Sequence, residues 1–191
     1  MNITSFLLYC FIVTVTPGPT NIDILFTVNH HGTKRAMQYT YGATIAFGFL
    51  LAISAMLNTM LVAVTPKILI VMQVIGSIYM LYLAYQIYKM DSSKPIENRT
   101  GSFKSGFLMQ FLNPKVITFT MTVFPTFILP YYTAASVMTL SVIIITLIGS
   151  LSFIIWVLFG AIFKKFLQQH QKAVNVIMAL FLVYAAVMIW L

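Results

Sequence analysis

Apolar residues run through this chain in long stretches, at residues 3–28, 36–64, 68–88, 103–128, 134–163 and 173–191, with short polar gaps between them. Each stretch comes close to or exceeds the roughly 20 apolar residues that a helix needs to cross the hydrocarbon core of a bilayer. The pattern predicts an all-α integral membrane protein of six transmembrane helices. Two of the stretches carry a break. The first is interrupted at Thr16-Pro17-Gly18-Pro19 and the fourth at Asn113-Pro114-Lys115. The gaps read as a polar hinge at residues 29–35, a turn at Thr65-Pro66-Lys67, a turn at Leu129-Pro130-Tyr131-Tyr132 and a loop at residues 164–172. The longest gap, residues 89–102, is a linker. Length and pattern together describe one transmembrane domain, residues 1–191. The first apolar run has no basic residue before it and meets no small-residue cleavage site, so it reads as a retained helix.

The two halves of the chain resemble each other. Residues 74–88 align with 176–190 at constant offset, so that Val74 meets Val176, Ile75 meets Ile177, Tyr82 meets Tyr184, Ala84 meets Ala186 and Ile87 meets Ile189. A similar offset brings Pro17 opposite Pro114. Each half, residues 1–90 and 103–191, then contributes three helices. Three crossings are odd, so the second half must be inverted relative to the first. Three-plus-three inverted repeats are a transporter architecture, with the site at the repeat interface.

Composition supports the membrane reading: 60% of the residues are hydrophobic and 7% charged, with 11 basic and 3 acidic side chains. A soluble domain carries roughly 25% charged residues. The net charge of +8 does not indicate nucleic acid, because the basic residues fall in the gaps between apolar runs. Lys34 and Arg35, then Lys89, Lys94, Arg99 and Lys104, then Lys164, Lys165 and Lys172 occupy alternate gaps, whereas the other side holds Lys67 alone. The positive-inside rule puts the first, third and fifth loops in the cytoplasm and both termini outside. Asn98-Arg99-Thr100 matches a glycosylation acceptor by chance, since it lies on the cytoplasmic side. Cys10 sits in an apolar run and reads as a small buried hydrophobe. His30 and His31 have no third ligand near them in sequence, which argues against a metal site.

The breaks carry the chemistry. Proline inside a helix removes a backbone hydrogen bond and clashes with the preceding turn, and in lipid the freed groups need partners. Pro19 suits the first turn of a new half-helix, whose amide donors would point at the bundle centre and offer a carboxylate site. Lys115 lies deep in the fourth stretch, where an ammonium is costly unless it snorkels, pairs or meets water. Asn113 can hydrogen-bond carbonyls freed by Pro114. Asp23 is the acidic residue within a span; it serves either as an ion-pair partner of Lys115 or as a proton-coupling site. Gly42, Ala43 and Ala46 permit close helix packing, as do Gly76, Gly149 and Gly160. Tyr85 and Tyr88 suit an interface; Tyr79, Tyr82 and Tyr184 lie deeper, for core packing or a cavity wall. There is no phosphate-binding loop, nucleophile elbow or carboxylate pair, so neither an enzyme nor a cofactor is expected. A membrane-embedded enzyme and an assembly subunit stand as the alternatives to a transporter.

Thr16-Pro17-Gly18-Pro19, the basic first loop, Asn113-Pro114-Lys115 and the six-span length together resemble the lysine-exporter (LysE/RhtB) superfamily over essentially the whole chain. The C-terminal part, from Leu129-Pro130 through Ile148-Gly149, Trp156, Gly160 and Phe163 to Asn175-Val176-Ile177 and 182–187, is similar to its cysteine and O-acetylserine exporter branch. The resemblance implies secondary export of amino acids or close metabolites across the bacterial inner membrane against proton entry. It leaves room for a homo-oligomer. By position, Pro17, Gly18, Pro19 and Asn21 match the family's signature and Asn113 and Lys115 its fourth-span motif, which implies that these residues bind substrate. Thr20 stands where an Asn commonly follows the signature, which makes the motif weaker ground for a shared substrate choice.

Overall fold

The computed structural model describes residues 2–89 and 101–188, and they are helical with no strand among them. The helices are α1 Ile3–Val15, α2 Pro19–His31, α3 Thr33–Tyr88, α4 Phe103–Leu112, α5 Pro114–Val123 with a π-helical turn at Phe124–Ile128, α6 Ala135–Ile162, α7 Lys164–Gln169 and α8 Gln171–Met188. The expected breaks fall where the prolines put them. Pro19 and Pro114 each occupy the first turn of the helix that follows, where a missing amide hydrogen costs nothing. α1 and α2 meet at a 50° bend and together are long and apolar enough to be one membrane span; Thr33–Leu57 and Ala135–Ile162 each qualify alone.

Three expected connections differ. The hinge at residues 29–35 shrinks to Gly32, which has φ 85° and ends α2 while starting α3. That left-handed backbone is open to glycine without steric cost. The loop at residues 164–172 holds α7 and the start of α8. The turn at Thr65-Pro66-Lys67 is not a gap in the helix, since α3 is continuous over 56 residues. A straight helix would separate Ala36 from Ile87 by roughly 75 Å, yet both belong to one buried cluster. The path of α3 therefore doubles back between Ser54, whose hydroxyl bonds the Thr120 carbonyl, and Ser77, whose hydroxyl bonds the Ala186 carbonyl. Of the linker, Lys94 and Arg99 and the 98–100 tripeptide lie outside the described residues.

The packing directions follow from a few contacts. α1 and α2 run alongside α6 in the same sense, with Thr14 against Ser152 at 2.8 Å and Gly160 against Leu25 and Val28. They run opposite to α4 and α5, with Thr27 beside Gly101 and Phe6 beside Phe127. The first half of α3 runs with α4 and α5, and Gly42 and Gly106 let the two backbones touch: a Cβ at Gly42 would overlap the Phe103 carbonyl, and one at Gly106 the Tyr39 carbonyl. Ala43 and Ala46 are fully buried on the same helix. Gly42, Ala43, Ala46, Gly149 and Gly160 thus pack closely, and the surroundings of Gly76 lie outside the described residues.

Two buried clusters fill the bundle. One joins α2, both ends of α3, the latter part of α6, α7 and α8. The other joins α1, the middle of α3, α5, its π-helical turn and Ile145 of α6, and it encloses Cys10. Tyr82 and Tyr184 belong to neither; at 56% and 61% exposure they point away from the bundle, which excludes them from a cavity wall. Tyr79 packs against the first cluster.

The Gly42–Gly106 crossing is rigid because carbonyl oxygens, not flexible side chains, meet the missing Cβ atoms. Gly106→Ala should force α3 and α4 apart and destabilise the protein by about 1–3 kcal/mol, read as a lower thermal midpoint in detergent. Gly48→Ala, which meets only the Thr146 side chain, should cost less.

Candidate functional site

The break after α1 leaves the carbonyls of its last turn without helical partners, and side chains supply every one of them. The Thr16 hydroxyl donates to the Val13 carbonyl at 3.0 Å. Asn21 Nδ2 donates to the carbonyls of Thr14 and Thr16 at 2.9 and 2.8 Å. Trp156 Nε1 reaches across from α6 to the Val15 carbonyl at 2.9 Å. Lys115 Nζ comes from α5 to the Thr16 carbonyl at 2.7 Å and the Thr16 hydroxyl oxygen at 2.9 Å. The first break is therefore held by its own sequel, by α6 and by the second break.

The second break is built differently from the expectation. Asn113 does not bond freed carbonyls. Its Oδ1 accepts from the Lys115 amide at 3.1 Å, so it caps α5, and its Nδ2 donates to the Thr20 hydroxyl oxygen at 2.8 Å. Asn is a favoured cap because its short side chain reaches the second or third amide of the following helix. Gln110 Nε2 donates to the same Thr20 oxygen at 3.0 Å. The two breaks thus interlock through two pairs, Lys115 with Thr16 and the amides of Gln110 and Asn113 with Thr20.

Between them lies a cavity of ≈ 30 Å³. Its polar wall is Thr14, Gly18, Thr20, Asn21, Asn113 and Lys115; its apolar wall is Val13, Phe47, Val116, Phe119 and Phe153. Gly18 is extended, at φ −166°, so its glycine is explained by space: an added Cβ would stand 3.1 Å from Lys115 Cδ. The Lys115 side chain lies across the Gly18 backbone. α2 has no side-chain cap, and its first helical bond runs from the Ile22 amide to the Gly18 carbonyl. Pro19 has no amide hydrogen, so the Thr20 and Asn21 amides open the helix at the cavity. Donors thus dominate the polar wall, and Asn21 Oδ1 is its unpartnered acceptor.

Of the residues singled out from sequence, Gly18, Asn21, Asn113 and Lys115 line this cavity, and Pro17 and Pro19 shape the turn beside it. Asp23 does not line it. That residue is half-buried one turn further along α2 and its backbone carbonyl accepts from the Thr27 hydroxyl. Lys115 makes no ion pair with Asp23; its ammonium is held by a carbonyl and a hydroxyl. His30 and His31 end α2 away from the cavity, against Phe26. The sequence reading passed over Gln110 and the phenylalanine wall. The available signal for Gln110 is its spacing: it lies three residues before Asn113, on the same helical face.

The family described as LysE type translocator matches residues 11–191. The cysteine/O-acetylserine efflux protein of Escherichia coli strain K12 is 28% identical over 189 residues, covering 98% of this chain and 97% of that protein. The protein of the same description from Shigella flexneri serotype 5b matches with the same identity and coverage. No solved structure matches the chain significantly.

Trp156 is the sole side chain bonded to the Val15 carbonyl among the described residues. Trp156→Phe keeps an aromatic ring and removes the donor, which should destabilise the protein by about 1–3 kcal/mol. Thermal unfolding in detergent measures this, and an unchanged midpoint would mean that water replaces the indole.

Proposed function

The chain belongs to the LysE-type translocator family, and from that premise we propose that it is a secondary exporter of a small zwitterionic amino acid, of the cysteine or O-acetylserine kind, across the bacterial inner membrane. The observation that carries the proposal is the cavity where two broken helices interlock. Two helix N-termini and one ammonium converge on it, and this combination favours an anionic group. Pro17, Gly18 and Pro19 form the turn, Asn21 and Asn113 hold it, and Lys115 binds the substrate carboxylate. At ≈ 30 Å³ the cavity has room for roughly two waters and none for an amino acid. Transport then requires the interlocked breaks to part.

The proposed architecture is six crossings in two inverted halves, residues 1–90 and 103–191, joined by a linker at 89–102. Support comes from the antiparallel run of α1–α2 against α4–α5 and from the doubling-back of α3. In the proposed orientation both termini lie outside the cytoplasm. The described basic residues other than Lys67 and Lys115 sit at the α2–α3 junction, the ends of α3 and α6, and the starts of α4 and α8, which is one end of the bundle. A membrane-embedded enzyme would need several ionisable groups at the cavity, where Lys115 stands alone among the described residues. An assembly subunit would have no use for two interlocked breaks.

Proton coupling is assigned to Asp23. The substrate ammonium pairs with the ionised carboxylate as the breaks part, and an incoming proton displaces it. Competition of this kind has the sign that exchange requires, because two loads that bind together cannot drive each other in opposite directions.

Efflux of radiolabelled cysteine from proteoliposomes tests these roles together. Lys115→Gln should insert normally and lose efflux; normal affinity for cysteine in that variant would refute the carboxylate assignment. Asp23→Asn should retain slow downhill efflux and lose the response to an imposed pH gradient. A parental response would make Asp23 structural.

Orientation is tested in intact cells on a Cys10→Ala background with one cysteine returned at position 94. An impermeant maleimide should leave it unlabelled until the membrane is opened. Labelling from outside would reverse the proposed topology.

A further inference from the structure

Thr20 holds an unusual position in the hydrogen-bond network. It is 2% exposed, lies in the first turn of α2 and lines the cavity. Its oxygen accepts from Gln110 Nε2 at 3.0 Å and from Asn113 Nδ2 at 2.8 Å. A hydroxyl has two acceptor lone pairs and one donor hydrogen. Both lone pairs are taken, so the hydroxyl can act toward a third partner only as a donor. Among the described residues no acceptor receives that hydrogen.

The two amides are themselves fixed in this sense. Asn113 Oδ1 is committed to the Lys115 amide, which turns its Nδ2 toward Thr20. Gln110 is 0% exposed, and its Oε1 has no hydrogen-bond partner. Across the cavity the ammonium of Lys115 spends two hydrogens on Thr16 and keeps one. Asn21 spends both amide hydrogens on α1 carbonyls and keeps a bare Oδ1, at 3% exposure.

We infer that Gln110 and Asn113 are positioning residues that force Thr20 to donate its hydroxyl hydrogen to the substrate carboxylate, leaving Asn21 Oδ1 to share the substrate ammonium with the Asp23 carboxylate. The inference rests on the proposed export of a zwitterion through this cavity and adds its polarity. Thr20, Lys115 and the amides at the start of α2 form a donor side. Asn21 forms the acceptor side. Gln110 touches no substrate and acts through Thr20 alone. The departure from the family signature at position 20 then has a consequence: a hydroxyl held by two amides is a one-way donor, whereas an asparagine there would bring an amide with both a donor and an acceptor end.

The test measures binding of L-cysteine and of L-cysteine methyl ester to the purified full-length protein in detergent. The ester keeps the ammonium and thiol and lacks the carboxylate charge. The affinity ratio of acid to ester is the readout, because a general loss of folding lowers both. The parent should prefer the acid. Gln110→Glu replaces the donor with an acceptor that takes the Thr20 hydrogen, and the ratio should fall roughly tenfold. Thr20→Val should lower the ratio similarly, and Thr20→Ser should restore it. In the Thr20→Val background, Gln110→Glu should change the ratio no further. If Gln110→Glu keeps the parental ratio, Thr20 already spends its hydrogen on Gln110 and the assignment falls. If Gln110→Glu lowers the ratio equally with and without Thr20, the glutamate acts through its own charge and the assignment also falls. If the parent binds neither cysteine nor its ester, the proposed function fails first, which is a separate outcome.

Discussion

A backbone carbonyl without a partner in apolar surroundings is the constraint on which this bundle depends. Breaking α1 at Pro17 and Pro19 creates several such carbonyls at one point. Each bare group would cost about 1–3 kcal/mol, a large sum against a marginal total stability. The chain answers with donors drawn from three places: Asn21 just past the break, Trp156 on α6 and Lys115 on α5. Satisfying the first break therefore fixes where α6 and α5 must lie. The tertiary arrangement and the repair of the break are one problem with one solution.

That solution also sorts the polar bonds between helices into two groups. α1 and α2 are joined to α6 by Thr14–Ser152, Trp156–Val15 and the Gly160 contact. α4 and α5 are joined to the first half of α3 by the glycine crossing and Ser54. Polar links between the two groups are concentrated at the cavity, in Lys115–Thr16 and the amides on Thr20. A ligand that draws Lys115 away from Thr16 exchanges protein–protein bonds for protein–ligand bonds between the two groups. Such differential contact is what a ligand needs to shift a conformational equilibrium.

The sequence carried the breaks, the small-residue crossings and most of the cavity's polar wall, because proline, glycine and a lone intramembrane lysine have local physical consequences. Gly18, Asn113 and Lys115 could be named from position alone, since each stands at a helix break, and Asn21 came from the resemblance to the family signature. What local pattern cannot carry is partnership across the bundle. The Asn113 side chain was expected to serve carbonyls, and only the path of α5 makes it a cap with its spare amide on Thr20. Gln110 and Trp156 act on residues 90 and 141 positions away in sequence. The tyrosines at 82 and 184 show the opposite failure: their depth within an apolar run was legible, and the direction in which they face was not. The reversal of direction between the second and third apolar stretches was legible, and the continuation of helical backbone through Thr65-Pro66-Lys67 was not.

Lys115 best explains why the site has the character it does. An ammonium in a half-buried site can be stabilised by a carboxylate or by neutral dipoles. With a carboxylate the pair cancels, and an incoming anion must first break a buried ion pair, which costs several kcal/mol. Here the partners are a carbonyl and a hydroxyl. They solvate the ammonium and leave its charge uncancelled. The cavity keeps a net positive character that two helix N-termini reinforce. A carboxylate arriving at such a site gains a charge-assisted hydrogen bond without displacing a rival anion. Asp23, half-buried one turn further along α2, is not the partner of this ammonium. A charge that is held without being neutralised can release its ligand as readily as it takes it, which a site that must load on one side and empty on the other requires.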